Sequence, residues 1–272
     1  MTPYVLLMSQ LLSFPQQPDI KLDVTKSEAS RPWAFVAPHE NEHVGNAYLK
    51  QQVEKFGGVF AILKQHGQRH VTLSVDGNAL QADPNRIFTK RGRMSTLTKL
   101  NPDLAAQTQL LAMAEKRAQA LAEFILHSIN ANEASSWVAI HNNTQGYDDD
   151  GHKGRGTISI KRYQKKLDSG ASYLIRVHDA GKDEDDLFFI TESTDYEAMK
   201  KASFNVVLQN PDVALDPAED DGSLSVLAEK QGRRYVNVEA ERRTEDGFGD
   251  NHVAEQQAMI DMLFTILNES HP

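Results

Sequence analysis

The stretch P-W-A-F-V-A-P-H-E-N-E-H-V at 32–44 decides the architecture, because it joins a short apolar strand to a polar loop and a helix. The run W-A-F-V-A at 33–37 is continuously apolar, as in a buried strand. Over residues 44–56 the apolar positions recur near helical spacing, and Gly57 and Gly58 end the segment. The sequence therefore predicts strand, functional loop and helix, with the string P-H-E-N-E at the turn between the two elements.

Apolar strands and helices continue to alternate along the rest of the chain. Strands are predicted at residues 59–63, 71–75, 137–140, 158–160, 187–190, 204–208, 224–227 and 235–238, with a turn at 76–78. Helices are predicted at 103–129, 195–201 and 252–267, and loops at 145–156 and 210–222. We therefore expect an α/β fold in which residues 31–272 form a single domain. A mixed, mostly parallel central sheet would be flanked by helices.

Composition argues against several classes of function. The 272 residues are 40% hydrophobic and 25% charged, which suits a globular domain with a packed core. The net charge of -9 argues against a nucleic-acid partner, and we interpret the basic residues Lys90, Arg91 and Arg93 as a solvated loop. Because the chain has no cysteine, any metal ion must be held by nitrogen and oxygen atoms.

Residues 1–30 form a predicted N-terminal extension. Its apolar run at 4–12 resembles the middle of a signal peptide, but it lacks a preceding basic residue and a small-residue cleavage site. A degenerate export signal and a simple strand or helix are equally compatible with this run. It is too short to span a bilayer, and no transmembrane segment is predicted elsewhere. Exported and cytoplasmic locations both stay open, with export favoured, and the oligomeric state is undetermined.

Polar strings at the ends of two apolar runs offer metal ligands. Two residues separate His39 from Glu42, so an imidazole and a carboxylate can converge on one cation where the strand turns into the helix. His141 follows another apolar run and can supply the third ligand that catalytic zinc sites usually take from the protein. The alternatives are a carboxylate near a helix N-terminus and a capped strand end. His252 and Glu255 have the same spacing, but we interpret them as a solvated helix face.

A further string, D-P-N-R-I-F at 83–88, offers a clamp for a carboxylate. The planar guanidinium of Arg86 can hold a substrate carboxylate through two parallel hydrogen bonds, and the amide of Asn85 adds donors. The alternative is a structural pair between Arg86 and Asp83. Together with the metal ligands, this string suggests a hydrolase that recognises an acidic substrate end.

In this order the strings resemble the motifs of the zinc carboxypeptidase superfamily, including its succinylglutamate desuccinylase and aspartoacylase branch. The matching strings are H-E-N-E at 39–42, N-R-I-F at 85–88 and H-N-N-T at 141–144. With a late glutamate they extend over roughly residues 33–241. The ordered set is far more specific than any one string.

The resemblance implies a role for individual residues of this chain. The Zn2+ ligands would be His39, Glu42 and His141. The substrate-binding residues would be Asn85, Arg86, Asn142 and Tyr147, with Arg162 a further candidate. The general base would be Glu239, at the end of the apolar run 235–238, with Glu241 as the fallback.

The residues and the resemblance together predict a zinc-dependent hydrolase that cleaves an amide bond next to a free carboxylate. A zinc-activated water would attack, with Glu239 as general base. One version is a metallocarboxypeptidase acting on a peptide, and on a cell-wall peptide if the chain is exported. A second is an N-acyl amino acid deacylase, favoured by H-N-N-T at 141–144. A third is a non-catalytic peptide- or peptidoglycan-binding protein on the same fold.

Overall fold

The computed structural model describes residues 8–147 and 154–269. Its strands are β1 (Met8–Phe14), β2 (Gln17–Lys26), β3 (Trp33–Ala37), β4 (Val59–Lys64), β5 (Val71–Val75), β6 (Asn78–Ala82), β7 (Ser136–Asn143), β8 (Leu174–His178), β9 (Leu187–Ile190), β10 (Asn205–Gln209) and β11 (Arg234–Glu241). Its α-helices are α1 (Asn46–Phe56), α2 (Lys90–Leu100), α3 (Thr108–Ser128), α4 (Ile160–Asp168), α5 (Ser193–Lys201), α6 (Leu224–Lys230) and α7 (Val253–Glu269). Short 3-10 helices lie at Pro84–Arg86, Pro102–Ala106 and Pro211–Ala214.

Nine of these strands form one mixed sheet in the order β1-β2-β4-β3-β7-β11-β9-β10-β8, while β5 and β6 form a separate hairpin. At the centre of the large sheet, β4, β3, β7 and β11 run parallel to one another. Antiparallel pairs lie towards the edges, joining β1 to β2, β2 to β4, β11 to β9 and β10 to β8. The expected α/β fold is therefore confirmed, with a mixed sheet whose core is mostly parallel and whose faces are flanked by helices.

Alternation along the central strands divides the side chains between two hydrophobic cores. On one face Ala139 of β7 belongs to the same buried cluster as Leu121 of α3. On the other face Val138 shares a buried cluster with Leu263 of α7. Because successive side chains of a strand point to opposite faces, His141 lies on the same side of the sheet as Ala139.

The strand, loop and helix predicted from residues 32–44 are present as β3 and α1. Every residue of β3 is buried, which explains its continuous apolar run. After α1 the chain turns through two glycines with φ angles of 110° and 107°. A Cβ atom on Gly58 would lie 2.7 Å from the Phe35 ring, so the close return of β4 beside β3 requires glycine there.

Two predicted strands are wrong, because serine caps direct these segments into helices. Residues 224–227 lie in α6, where the Ser223 hydroxyl accepts a hydrogen bond from the backbone N–H of Val226. Residue 160 begins α4, where Ser159 accepts from the backbone N–H of Arg162. Both serines occupy the N-cap position that short polar side chains favour. The short apolar segments beside these serines therefore have the period of a helix and not that of a strand.

The interpretation of the basic run at 90–93 as a solvated loop is also wrong. These residues begin α2, whose N-cap Thr89 accepts a hydrogen bond from the backbone N–H of Gly92. Lys90 is exposed, but Arg93 is buried. The Arg93 Nε atom donates to Glu115 of α3 over 2.8 Å. A buried ion pair thus fixes α2 against α3 where we expected solvent.

Residues 8–26, within the predicted N-terminal extension, form β1 and β2, and β2 pairs with β4 of the large sheet. The predicted boundary near residue 30 stays a prediction. The predicted helix at 103–129 is present as α3, preceded by the 3-10 helix at Pro102–Ala106. Across the described ranges, no helix combines the length and apolar character needed to cross a bilayer.

Candidate metal and substrate site

The structure brings His39, Glu42 and His141 together at the carboxyl ends of two neighbouring parallel strands. His39 and Glu42 lie in the loop after β3, and His141 lies in β7, which pairs with β3 in parallel register. Their ligand atoms all lie within 4.8 Å of one another. All three side chains are buried, with residue exposures of 1–2%. This edge of a parallel sheet is where α/β folds place their ligands.

Glu42 lies between the two imidazoles. Its Oε1 atom is 3.0 Å from His39 Nδ1, and its Oε2 atom is 2.8 Å from His141 Nδ1. The two rings have centroids 5.0 Å apart. Burial alone would raise the pKa of Glu42, but the histidines outweigh burial and hold this pKa well below its ordinary value.

The donor set fits a zinc ion. Two nitrogen ligands and one carboxylate are a combination that zinc takes in catalytic sites. Ligand atoms about 2.1 Å from a tetrahedral ion lie roughly 3.4 Å apart, so the distances around Glu42 need to grow by only about half an ångström. His39 Nδ1 and His141 Nε2 are buried and form no hydrogen bond within the described residues. In His39 the unbonded nitrogen, Nδ1, is the one that faces Glu42, whereas His141 faces Glu42 through Nδ1 and its unbonded nitrogen is Nε2.

Asp83 orients the first histidine. Its Oδ1 atom lies 2.8 Å from His39 Nε2, which leaves Nδ1 facing Glu42. The same oxygen accepts a hydrogen bond from the backbone N–H of Asn85. Burial would raise the pKa of Asp83, but the bond to His39 and nearby positive charges lower it. This role of Asp83 was not predicted from the sequence, where Asp83 was considered only as a partner for Arg86.

Arg69 is a second residue that the sequence analysis missed. Its guanidinium contacts the Glu42 carboxylate and lies 3.9 Å from Asp83 Oδ2. Its charge also opposes the rise in the pKa of Glu239. Arg69 precedes β5 in a turn that bears no recognisable motif. Only the tertiary structure places this cation beside the candidate ligands.

Glu239 lies on β11 directly beside His141. The two residues are Cα partners in the parallel pairing of β11 with β7. Burial raises the pKa of Glu239 above its ordinary value, and the Glu42 carboxylate adds to the shift, against the lowering effect of His141. Asn237 donates a hydrogen bond of 3.0 Å to Glu239 Oε1. A carboxylate with a raised pKa beside the ligand group can accept a proton there.

Glu241, the fallback base, has different partners. Its Oε1 atom accepts a hydrogen bond of 2.8 Å from the backbone N–H of Asp250, and Oε2 lies 3.7 Å from His252 Nε2. The interpretation of His252 as a solvated helix residue is wrong: it precedes α7 and its Nδ1 atom lies 2.9 Å from Asp186 Oδ2. Of the two glutamates, Glu239 is the one electrostatically coupled to His141 and Glu42.

The predicted clamp lies in the 3-10 helix after β6. Arg86 does not contact Asp83 closely; its Nη1 atom lies 3.4 Å from Asp221 Oδ2 and donates to the Asn85 carbonyl. The Arg86 side chain is 39% exposed and thus accessible to a ligand. The Asn85 Oδ1 atom is buried and has no hydrogen-bond partner in the described part of the chain.

Two tyrosines that were not predicted as site residues, Tyr163 and Tyr235, interact electrostatically with both Arg86 and Glu239. Burial, followed by the charge of Glu239, raises the pKa of both Tyr163 and Tyr235. Arg86 lowers the pKa of both phenols, so each ring is near Arg86 as well as Glu239. Tyr235 and Glu239 are four residues apart on β11 and face the same side, a pattern that could have been read from the sequence. Tyr163 could not, because it lies in α4, where the sequence predicted a strand at 158–160 and no helix after it.

Asn142 is turned away from the ligand group. Its amide nitrogen donates to the Ala240 carbonyl and to Gln256, and its oxygen accepts from the backbone N–H of Val44. These bonds commit the amide to holding α7 and the start of α1. Since His141 and Asn142 are successive strand residues, they face opposite sides of the sheet. The side chain of Asn142 is therefore directed away from the proposed substrate site.

Tyr147 lies at the start of the predicted loop 145–156, whose residues 148–153 are outside the described residues. Its backbone forms a bridge with Gly156, and its ring lies 5.7 Å from the Arg162 guanidinium. These contacts connect Tyr147 to Arg162, the other candidate, rather than to the histidines. A role for this pair at the substrate stays a prediction.

No protein-family model and no curated protein matches this chain. Among solved structures, it is similar to product-bound Csd4, a cell shape determinant protein from Helicobacter pylori, with 12% identity and a TM-score of 0.41 over 87% of this chain and 50% of that one. It is also similar to bovine thrombin-activatable fibrinolysis inhibitor, with 12% identity and a TM-score of 0.47 over 97% and 90%. A third structure is the succinylglutamatedesuccinylase/aspartoacylase from Rhodobacter sphaeroides, with 14% identity and a TM-score of 0.40 over 97% and 66%.

This chain therefore spans about half the length of Csd4. Each of the three likenesses is one of fold. The roles of individual residues in this chain depend on the site geometry given above.

Proposed function

We propose that this protein is a zinc-dependent hydrolase that cleaves an amide bond next to a free carboxylate. The observation that carries the proposal is the buried group His39, Glu42 and His141, whose ligand atoms lie within 4.8 Å of one another. Zinc bound there would lower the pKa of a coordinated water towards about 7 and polarise the scissile carbonyl. The neighbouring strand supplies Glu239 beside His141.

Glu239 is the proposed proton carrier. It takes a proton from the attacking water and returns it to the departing amine, the usual task of a carboxylate in such a site. Asn237 holds Glu239 Oε1 through a hydrogen bond, which leaves Oε2 to face the reaction. The guanidinium of Arg69 contacts Glu42, and we assign this positive charge to stabilising the oxyanion of the reaction.

Arg86 and Asn85 are the proposed site for the substrate carboxylate. The contact of Arg86 with Asp221 is 3.4 Å long and half-exposed, so a substrate carboxylate can replace it at small cost. The side chains of Tyr163 and Tyr235 have no hydrogen bond in the described structure, so their phenols are available as donors. We assign Arg86 to the substrate carboxylate and Glu239 to the scissile amide, and both residues interact electrostatically with the two tyrosines.

Metal analysis and substrate panels test this function. Purified wild-type protein is expected to hold about one zinc ion per chain and to release a C-terminal residue from peptides. His39→Ala and His141→Ala are expected to lose zinc, whereas His127→Ala, an exposed histidine on α3, keeps it. Unchanged zinc content in both site variants would refute the metal site. A zinc-loaded wild type that is inert on broad panels would favour a non-catalytic peptide-binding protein.

A deacylase is the second candidate. An N-acyl amino acid also presents a carboxylate beside an amide bond, so the same clamp and base serve it. The string H-N-N-T at 141–144 favours this substrate class. Release of a small acid from acyl amino acids, without release of C-terminal residues from peptides, would select the deacylase.

A further inference from the structure

A second group of oxygen atoms lies beyond the candidate active site, where β7 and β11 end. Asp183, Asp185 and Glu241 each offer a carboxylate oxygen, and these atoms lie within 4.8 Å of one another. Asp185 and Glu241 are each 1% exposed, whereas Asp183 is exposed at the rim. The acidic turn that holds the two aspartates directly precedes β9.

Each carboxylate uses only one oxygen for local hydrogen bonds. Asp185 Oδ2 accepts a bond of 2.6 Å from the backbone N–H of Gly146, while its Oδ1 atom is buried and without a partner among the described residues. Glu241 Oε1 accepts from the backbone N–H of Asp250, and Asp183 Oδ1 accepts from that of Asp185. Asp185 Oδ1 is therefore left for a shared ligand, and so is Asp183 Oδ2, while Glu241 Oε2 has only a contact of 3.7 Å with His252 Nε2.

Asn143 gives an independent indication of a cation. Its side chain is more than nine-tenths buried, and its Oδ1 atom has no hydrogen-bond donor in the described part of the structure. Its Nδ2 atom donates to the Asp185 carbonyl over 2.7 Å, and Asn143 is the Cα partner of Glu241. The orphan amide oxygen thus belongs to a side chain that is bonded to Asp185 and paired in register with Glu241. A buried acceptor without a donor is costly, and a cation would satisfy it.

The nearby cations have nearer partners outside the cluster, and only His252 also contacts it among the described residues, 3.7 Å from Glu241 Oε2. His252 pairs with Asp186 at 2.9 Å, and Lys161 lies 3.5 Å from Glu184. The Lys182 ammonium lies over the Phe204 ring. Burial, with the adjacent acids, raises the pKa of Asp185 to about 8. The cluster is therefore short of positive charge.

We propose that Asp183, Asp185, Glu241 and Asn143 bind a calcium ion. The donors are all oxygens, the ligands of a hard cation, in contrast to the nitrogen-containing group at His39. Calcium is favoured over magnesium because the donors come from three separate segments, and calcium tolerates irregular geometry. Since Gly146 bonds to Asp185, the ion would also hold Gly146, three residues after the end of β7.

Calorimetric titration of the full-length protein with CaCl2 tests this site. Wild type is expected to bind about one calcium ion with a Kd roughly in the micromolar to millimolar range, and its Tm rises when CaCl2 is added. Asp183→Asn and Asp185→Asn are each expected to weaken binding roughly tenfold or more. Asp103→Asn, which removes the same charge from an exposed position, keeps wild-type affinity.

Two further arms separate this site from the proposed zinc site. His39→Ala is expected to bind calcium as wild type does, and Asp185→Asn to keep its zinc. Titration with MgCl2 is expected to give clearly weaker binding. The proposal is overturned if wild type shows neither heat nor a Tm shift with about 5 mM CaCl2. It is also overturned if Asp103→Asn loses as much affinity as Asp185→Asn, if His39→Ala loses calcium, or if magnesium binds as tightly.

Discussion

The Nε2 atom of His39 and the Oδ1 atom of Asp83 lie 2.8 Å apart, although 44 residues separate them in the chain. This bond leaves the other ring nitrogen of His39 towards Glu42, 3.0 Å away. A carboxylate behind a metal-ligating histidine fixes the ring and raises its basicity. Asp83 is therefore a positioning residue for the proposed metal site.

Asp83→Asn is expected to weaken zinc binding roughly 10- to 100-fold, because the amide orients His39 without the negative charge. Asparagine still serves as an N-cap for the following 3-10 helix, so the fold is retained. Competition with a chromophoric chelator measures the affinity, and Asp103→Asn is the matched control. Equal zinc affinity of Asp83→Asn and wild type would contradict the role of Asp83.

Glu239→Gln is expected to lower kcat by roughly 100-fold or more while zinc content is unchanged, because glutamine cannot accept the proton. Steady-state kinetics on the substrate found in the panels measures the loss. Glu123→Gln, exposed on α3, should match wild type. Activity that persists in Glu239→Gln would remove Glu239 as the base.

Arg86→Lys is expected to raise KM roughly tenfold or more with a smaller change in kcat, since lysine cannot form two parallel bonds to a carboxylate. The comparison uses substrates with a free carboxylate and the same substrates as amides. Arg91→Lys, exposed at the start of α2, serves as the control. If the variant discriminates against amides as strongly as wild type, the clamp lies elsewhere.

Glu229 of α6 predicts a dependence of stability on pH. Burial raises the pKa of Glu229 to about 7, although the hydrogen bond from Gln209 lowers it. An acid whose pKa is raised on folding binds its proton more tightly in the folded state, so stability falls as pH rises from the unfolded pKa through the folded one. Glu229→Gln is therefore expected to increase the free energy of unfolding by roughly 1–2 kcal/mol at about pH 8 and by little near pH 4.

Urea unfolding at both pH values measures the effect of Glu229→Gln, with Glu255→Gln on the exposed face of α7 as the control. A gain of the same size at both pH values would contradict ionisation of Glu229 as the cause. A lower free energy of unfolding for Glu229→Gln at the higher pH would show that the ionised carboxylate stabilises the folded state.

The elements that sequence predicted well are those whose burial is uniform. Every residue of β3 and β7 is buried, so their apolar runs allowed one interpretation. Strand β1 overlaps the apolar run at 4–12, which is equally compatible with an export signal, and β2 mixes buried and exposed residues, so neither strand was assigned from the sequence. Residues 224–227 are short and apolar, and hydrophobicity alone does not separate a buried helix from a strand. Only the Ser223 cap, in its tertiary setting, selects the helix.

The sequence by itself determined the α/β class and the three strings that end at His39, Arg86 and His141, because residue type and local period are properties of neighbouring positions. The tertiary structure decided which oxygen and nitrogen atoms meet. Asp83 bonds to His39, and Asn143 bonds to Asp185, although each pair is far apart in the sequence. Such hydrogen bonds depend on how the strands are paired and not on the number of residues between the partners. Strand pairing also placed Glu239 rather than Glu241 beside the proposed zinc ligands.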